Sequence, residues 1–134
     1  MNSYEIIDTT ADIGIRVEGS DLTDLCRNLL RGFYCIVFDK KDDVFNQNVY
    51  NAKEKKLIFE NPEDLVFSLL NEAVFLLYTR NSLIYPVTVF ENEVKYLILK
   101  NTEYIETEVK AATKHRLNVK KTGGNFEAVV ILDI

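Results

Sequence analysis

FEAVVILDI, residues 126–134, is apolar on both of its alternating faces. Phe126, Ala128, Val130 and Leu132 fall on one side, Val129 and Ile131 on the other. A short run of this kind next to a turn signal reads as a central strand covered on both sides. The preceding TGGN, residues 122–125, has the composition of a hairpin turn. It joins the central strand to TEVKAATKHRLNVKK, residues 107–121. In that segment Val109, Ala111, Thr113, His115, Leu117 and Val119 alternate with Glu108, Lys110, Lys114, Arg116, Asn118 and Lys120. The alternation predicts one continuous strand over 108–120, with its single histidine on an apolar, core-facing side.

Further back, LIYPVTVF (83–90) and VKYLILK (94–100) predict two more strands. Residues 3–9 and 13–19 predict another pair, joined at TTAD by a hairpin or a tight corner, with Ile13, Ile15 and Val17 on one face. Two helices separate these strands. The first begins after Ser20, read as its N-cap. It carries an apolar stripe of Leu22, Leu25, Cys26, Leu29, Leu30, Phe33, Tyr34 and Val37, and DKKDD ends it. The second opens on NPED, residues 61–64, with Asn61 as N-cap, Pro62 at the first helical position and acids in the first turn. It should run to about Arg80. Residues 43–60 read as one bent strand or a loose pair. Hairpin-length connections make most pairings antiparallel. The expected fold is a single α+β domain over 1–134, a two-layer sandwich in which two helices cover one face of a mainly antiparallel, mixed sheet.

Composition sets the boundaries. The chain has 134 residues, 47% of them apolar and 28% charged, and no apolar run approaches the ~18 residues of a membrane span. The start MNSYEIID lacks a basic then apolar leader, so the expected compartment is the cytoplasm. Cys26 and Cys35 lie on one helix about 13 Å apart, too far for a disulfide, and are expected as buried reduced thiols. A net charge of −5 argues against a surface devoted to nucleic acid. Residues 108–121 run against that balance, with Lys110, Lys114, Arg116, Lys120 and Lys121 facing Glu108 alone. The stripe reads either as a solvated strand face or as a dock for phosphate or an acidic partner.

Signatures of catalysis are missing from the sequence: it has no Gly-rich phosphate loop, no G-x-S-x-G and no CxxC. On the second helix Val66, Leu69, Leu70, Ala73, Val74 and Leu77 centre the apolar face. Ser68, Asn71, Glu72 and Thr79 lie opposite, and Phe75 stands among them, either tucked under a loop or exposed for an interface. Asp8 and Asp12 flank the first corner, and Asp133 with Ile134 closes the sequence. If that corner lies beside the end of the last strand, several anionic oxygens converge and call for a hard cation, calcium or magnesium. The plainer reading of Asp12 is a turn residue bonding its own backbone.

DTTADIGI (8–15), LLNEA (69–73), EVKAATKH (108–115) and VVILDI (129–134) together resemble the archease family, in order and across the whole chain. The resemblance implies a protein without catalytic residues of its own. Such a protein activates the GTP-dependent RNA-splicing ligase of tRNA maturation, promoting guanylylation and multiple turnover. It would meet tRNA only indirectly, through the ligase, and no membrane. The resemblance also implies a divalent-metal site of Asp12, Asp133 and Ile134, with calcium first and magnesium second. Lys110 is implied as a required cation, Glu72 holds the family's Asn-Glu position, and Phe75 its frequent aromatic. Three departures stand out: Thr9 where His is usual, Lys114 where Tyr is common, and a shorter segment before Val109. Two other readings are a small metal-dependent hydrolase using the same carboxylates and a direct RNA-binding module using the basic stripe.

Overall fold

A computed structural model describes residues 4–8, 12–40, 45 and 52–134. Its elements are β1 (Tyr4–Asp8), β2 (Ile13–Gly19), α1 (Leu22–Phe38), β3 (Lys53–Ile58), α2 (Pro62–Arg80), β4 (Ser82–Phe90), β5 (Glu93–Lys100), β6 (Ala111–Ala112), β7 (Val119–Thr122) and β8 (Asn125–Asp133). The α+β sandwich is present, but the strands divide into two sheets, and every pairing is antiparallel. One sheet runs β1-β2-β8-β6, with β7 also on β8; the other runs β3-β5-β4. Thr9 to Ala11 of the first corner lie outside the described residues, as does most of 43–51. The extended run expected over 43–60 is therefore described at Phe45 and from residue 52 onward.

Both helices start on the same device. Asp21, not Ser20, is the N-cap of α1: its Oδ1 accepts from Asp24 N at 2.7 Å, while Asp24 Oδ2 accepts from Ser20 N at 2.9 Å. In α2, Asn61 Oδ1 accepts from Asp64 N at 2.8 Å and Asp64 Oδ2 from Glu60 N at 2.9 Å. Each acid also lies near the positive end of its helix dipole, and each reciprocal pair satisfies two otherwise orphaned donors. Asp39 and Asn81 end the helices in the left-handed conformation.

The core is continuous through both sheets. α1 packs on β1 and β2 and reaches β4, while α2 packs on β4 and on the short β6. Ile15, Val17, Ala128, Val130 and Leu132 meet Leu25, Leu29, Leu30 and Phe33 of α1 in one buried cluster with Leu65, Leu69 and Leu70 of α2. Val129 and Ile131, on the other face of β8, are half-buried, so the central strand is sealed fully on the helix side alone. Polar stitches fix α1 to β4. Arg27 donates to the carbonyls of Pro86 and Val87 at 2.9 and 2.7 Å, where β4 bulges, and Tyr34 Oη accepts from Ile84 N at 2.8 Å. Burial pushes the Tyr34 phenol well above its ordinary range, because its ionised form would be desolvated.

Both cysteines are free thiols; Cys26 is buried and Cys35 half-buried. Burial, reinforced by the charge of Asp21, pushes the Cys26 thiol from its ordinary 9.0 up to about 12. The unfolded chain therefore ionises first. This group's stabilising effect is complete below pH 9 and declines as pH rises toward 12, by about 1.4 kcal/mol per pH unit. Urea midpoints taken near pH 8 and near pH 10 should fall farther for the wild type than for Cys26→Ala. Equal falls would exclude Cys26 as a source of the alkaline loss.

Candidate metal centre

β2 and β8 pair from Ile13↔Leu132 to Gly19↔Phe126. One step beyond that ladder, Asp12 falls across from Asp133. Both residues are exposed. Directly opposed residues of antiparallel strands hold their Cβ atoms about 4.5–5.5 Å apart. On the other side of β8, Ala111 pairs with Asp133, and Lys110 N donates to the Asp133 carbonyl at 2.7 Å. The next position of that ladder sets exposed Lys110 across from Ile134, which is 45% exposed. Asp12, Asp133, Ile134 and Lys110 are thus brought to one end of one sheet by two ladders meeting on β8. Asp8 pairs with Ile13 instead, one position away from Asp12 in the alternation.

α2 holds the edge of this site in place. Asn71, from the sector opposite the apolar face, and two further side chains of this helix turn toward the segment after Glu108. Tyr78 Oη accepts from Val109 N at 2.8 Å, Asn71 Oδ1 from Ala112 N at 3.0 Å and Glu63 Oε2 from Val119 N at 2.8 Å. Burial raises the Tyr78 phenol above its ordinary range, and Glu108 acts in the same direction. Phe75 lies between Asn71 and Tyr78 on that helical stripe and is 53% exposed. Glu72 turns away from the site. It accepts from Tyr96 Oη at 2.6 Å, and desolvation together with this bond drives the Tyr96 phenol upward. Glu72 thus ties α2 to β5, whereas Lys110 lies beside Ile134 at the end of β8 and Phe75 lies on the α2 stripe that bonds Val109 and Ala112.

These bonds overturn one expectation. Residues 108–120 are not one strand: β6 and β7 are separate, and a turn between them closes with Leu117 N on the Lys114 carbonyl at 3.1 Å. Arg116 adopts φ 56° there. His115 is therefore exposed in a turn and not in the core. The alternation was real, but its backbone donors go to α2 side chains as well as to β8. Asn71 and Tyr78, the residues sequence reasoning missed, carry no periodic signal that marks them as backbone acceptors.

The donor set is oxygen-only. Two opposed carboxylates can reach one ion at about 2.4 Å from each oxygen, which suits calcium better than zinc. Among the described residues, no trio of His, Cys, Asp and Glu could close a metal site alone. A third donor must then be a main-chain oxygen, as at Ile134, or come from outside the chain. Nor is any helix among the described residues long and apolar enough to cross a membrane.

Comparison with known proteins gives a consistent result. The model of the Archease protein family matches residues 4–134. A protein archease of Archaeoglobus fulgidus is 30% identical over 139 residues, 98% of this chain and 98% of that protein. Among solved structures, an archease of Thermotoga maritima, termed a possible chaperone, is 26% identical with TM-score 0.68, covering 97% of this chain and 96% of that one. The solution structure of Methanobacterium thermoautotrophicum protein 1598 shares the fold at TM-score 0.77 and 22% identity over the full length of both chains.

Proposed function

Because this chain belongs to the archease family, we propose that it is an accessory protein that activates the GTP-dependent RNA-splicing ligase, and that it does so through the end of β8. One observation supports this most: β2 and β6 deliver Asp12 and Lys110 to either side of Asp133 and Ile134. The two carboxylates and a main-chain oxygen of Ile134 would hold a divalent ion, calcium before magnesium. Calcium takes six to eight oxygens, so once bound it would supply a fixed positive charge with positions left for oxygens of a partner. Lys110 N–H bonds the Asp133 main-chain carbonyl, so the backbone that carries this carboxylate is fixed at the end of the sheet. Lys110 adds a cation next to this end, suited to a phosphate or an acidic group of the ligase. Exposed Phe75 gives the same edge an aromatic contact of the kind enriched at interfaces.

A reconstituted ligation assay tests the proposal. Adding the protein to a GTP-dependent RNA-splicing ligase should raise guanylylation and carry each ligase molecule through several turnovers. A ligase that cycles equally well without it would refute the proposal. Nucleotide hydrolysis by the isolated chain would favour the hydrolase reading in its place.

A further inference from the structure

The turn at Arg116 breaks up the basic stripe and sorts its members. Lys114 Nζ sits 4.6 Å from the centre of the Phe67 ring, and Lys121 Nζ 5.4 Å from that of Phe126. These two cations are committed to aromatic faces of the protein itself. Arg116 and Lys120 are different. Among the described residues neither makes an ion pair, and the amide of Asn118 has no hydrogen-bond partner. All three line one groove of about 230 Å³, whose floor is β8 at Glu127, Ala128 and Val129.

Two further features bear on what this groove takes. Arg116 stands at φ 56°, a left-handed conformation unfavourable for a non-glycine residue, which the Lys114–Leu117 turn maintains. Glu127 stands opposite Lys120 on β7 and Glu18 on β2, and Arg16 Nη2 lies 2.7 Å from its Oε1. The groove therefore offers two cations that make no ion pair among the described residues, and an amide donor beside them. Its one carboxylate is paired with Arg16 through Oε1 and keeps a second oxygen, Oε2, able to accept a hydrogen bond. No aromatic ring lines it, so bases would not stack there.

We propose that this groove binds a phosphodiester of an RNA strand. Arg116 and Lys120 contact the phosphate oxygens, Asn118 supplies a further donor, and Glu127 Oε2 accepts from the adjacent ribose 2′-hydroxyl. That hydroxyl is the group by which a protein tells RNA from DNA. Recognition is independent of base sequence, since backbone contacts carry none. The contact belongs to the isolated chain and does not depend on the ligase reading. It adds one direct meeting with RNA to the indirect one implied by the family resemblance.

The test is fluorescence anisotropy at low salt with a labelled single-stranded oligoribonucleotide and its deoxy counterpart. RNA should bind more tightly than DNA, with a log–log salt slope of about −0.7, as for one neutralised phosphate of a single strand. Arg116→Ala with Lys120→Ala should weaken RNA binding at least about tenfold without changing the melting temperature. Lys114→Ala removes the same charge from a committed residue and should leave affinity unchanged. Glu127→Gln should abolish the preference for RNA over DNA. Equal binding of RNA and DNA by the wild type would overturn the proposal, as would a double variant that binds RNA normally or a Lys114→Ala loss as large as the double variant's. A double variant that keeps RNA affinity but no longer stimulates the ligase would reassign the groove to an acidic protein partner.

Discussion

Gly19→Ala should destabilise the protein by about 3 kcal/mol or more, lowering the melting temperature by roughly 10 °C. Gly19 ends β2, and a Cβ added there would sit 2.3 Å from Leu25 N, 2.6 Å from Leu25 Cα and 2.9 Å from the Asp24 carbonyl carbon. All three are backbone atoms of the first turn of α1, so no rotamer change can relieve the overlap. That turn is also pinned, because Leu25 N bonds the Asp21 carbonyl and Asp24 N the Asp21 carboxylate. Relief requires lifting α1 from β2 and exposing Leu25, Leu29 and Phe33, which are fully buried. Gly124→Ala provides the contrast. At φ 87° it meets no atom within 4 Å and should lose only the conformational penalty, about 1–2 kcal/mol. Urea titration of the two variants separates the causes. A Gly19→Ala protein within 1 kcal/mol of wild type would mean that β2 and α1 are not this close.

Calcium should stabilise the wild type and not Asp12→Asn or Asp133→Asn. At a hundredfold excess over its dissociation constant, a ligand that binds the folded state alone adds about 2.7 kcal/mol, roughly 8 °C of melting temperature for a chain of this size. Removing one of two ligating carboxylates should weaken calcium on the order of 100-fold and erase that shift, because charge count and donor number set affinity at oxygen sites. Isothermal titration with calcium, then magnesium, gives the affinities directly. Lys110→Ala separates the metal from what it serves. It should leave the calcium-dependent shift intact and lower ligase stimulation. A wild-type melting temperature indifferent to calcium would remove the cation from the account, while the ligase assay would still stand on its own.

What could be read from the chain was what local rules encode. Asn61, Pro62 and the acids after them mark a helix start without tertiary help, and the apolar stripe of α1 states its own burial. The run of β8 announces a central strand but not its cover, since Val129 and Ile131 are only half-buried. Ser20 lost the N-cap to its neighbour because both residues can cap, and the deciding bond is the one Asp24 makes backward. The split of 108–120 was hidden for another reason. Val109, Ala112 and Val119 give their N–H groups to Tyr78, Asn71 and Glu63, partners 31, 41 and 56 residues away. Alternation reports which side chains share a face and is silent on where backbone donors go. The separation into two sheets was hidden likewise, since hairpin lengths fix which neighbours pair but not which distant strands do. The meeting of Asp12 and Asp133 depended on one such distant pairing, β2 with β8, and no local pattern encodes it.

β8 is the keystone of its sheet and follows β2 by roughly 110 residues. At ordinary elongation rates of about 5–20 residues per second, the β1–β2 hairpin leaves the ribosome some 5–20 s before the strand that closes its open edge exists. Ile15 and Val17 pair early with Ile6 and Tyr4 of β1 but wait that long for Val130 and Ala128 of β8 on their other side. The sheet is in this sense built to finish late: the edge of β2 that β8 covers stays open to proteases and to stray strand pairing until β8 is made.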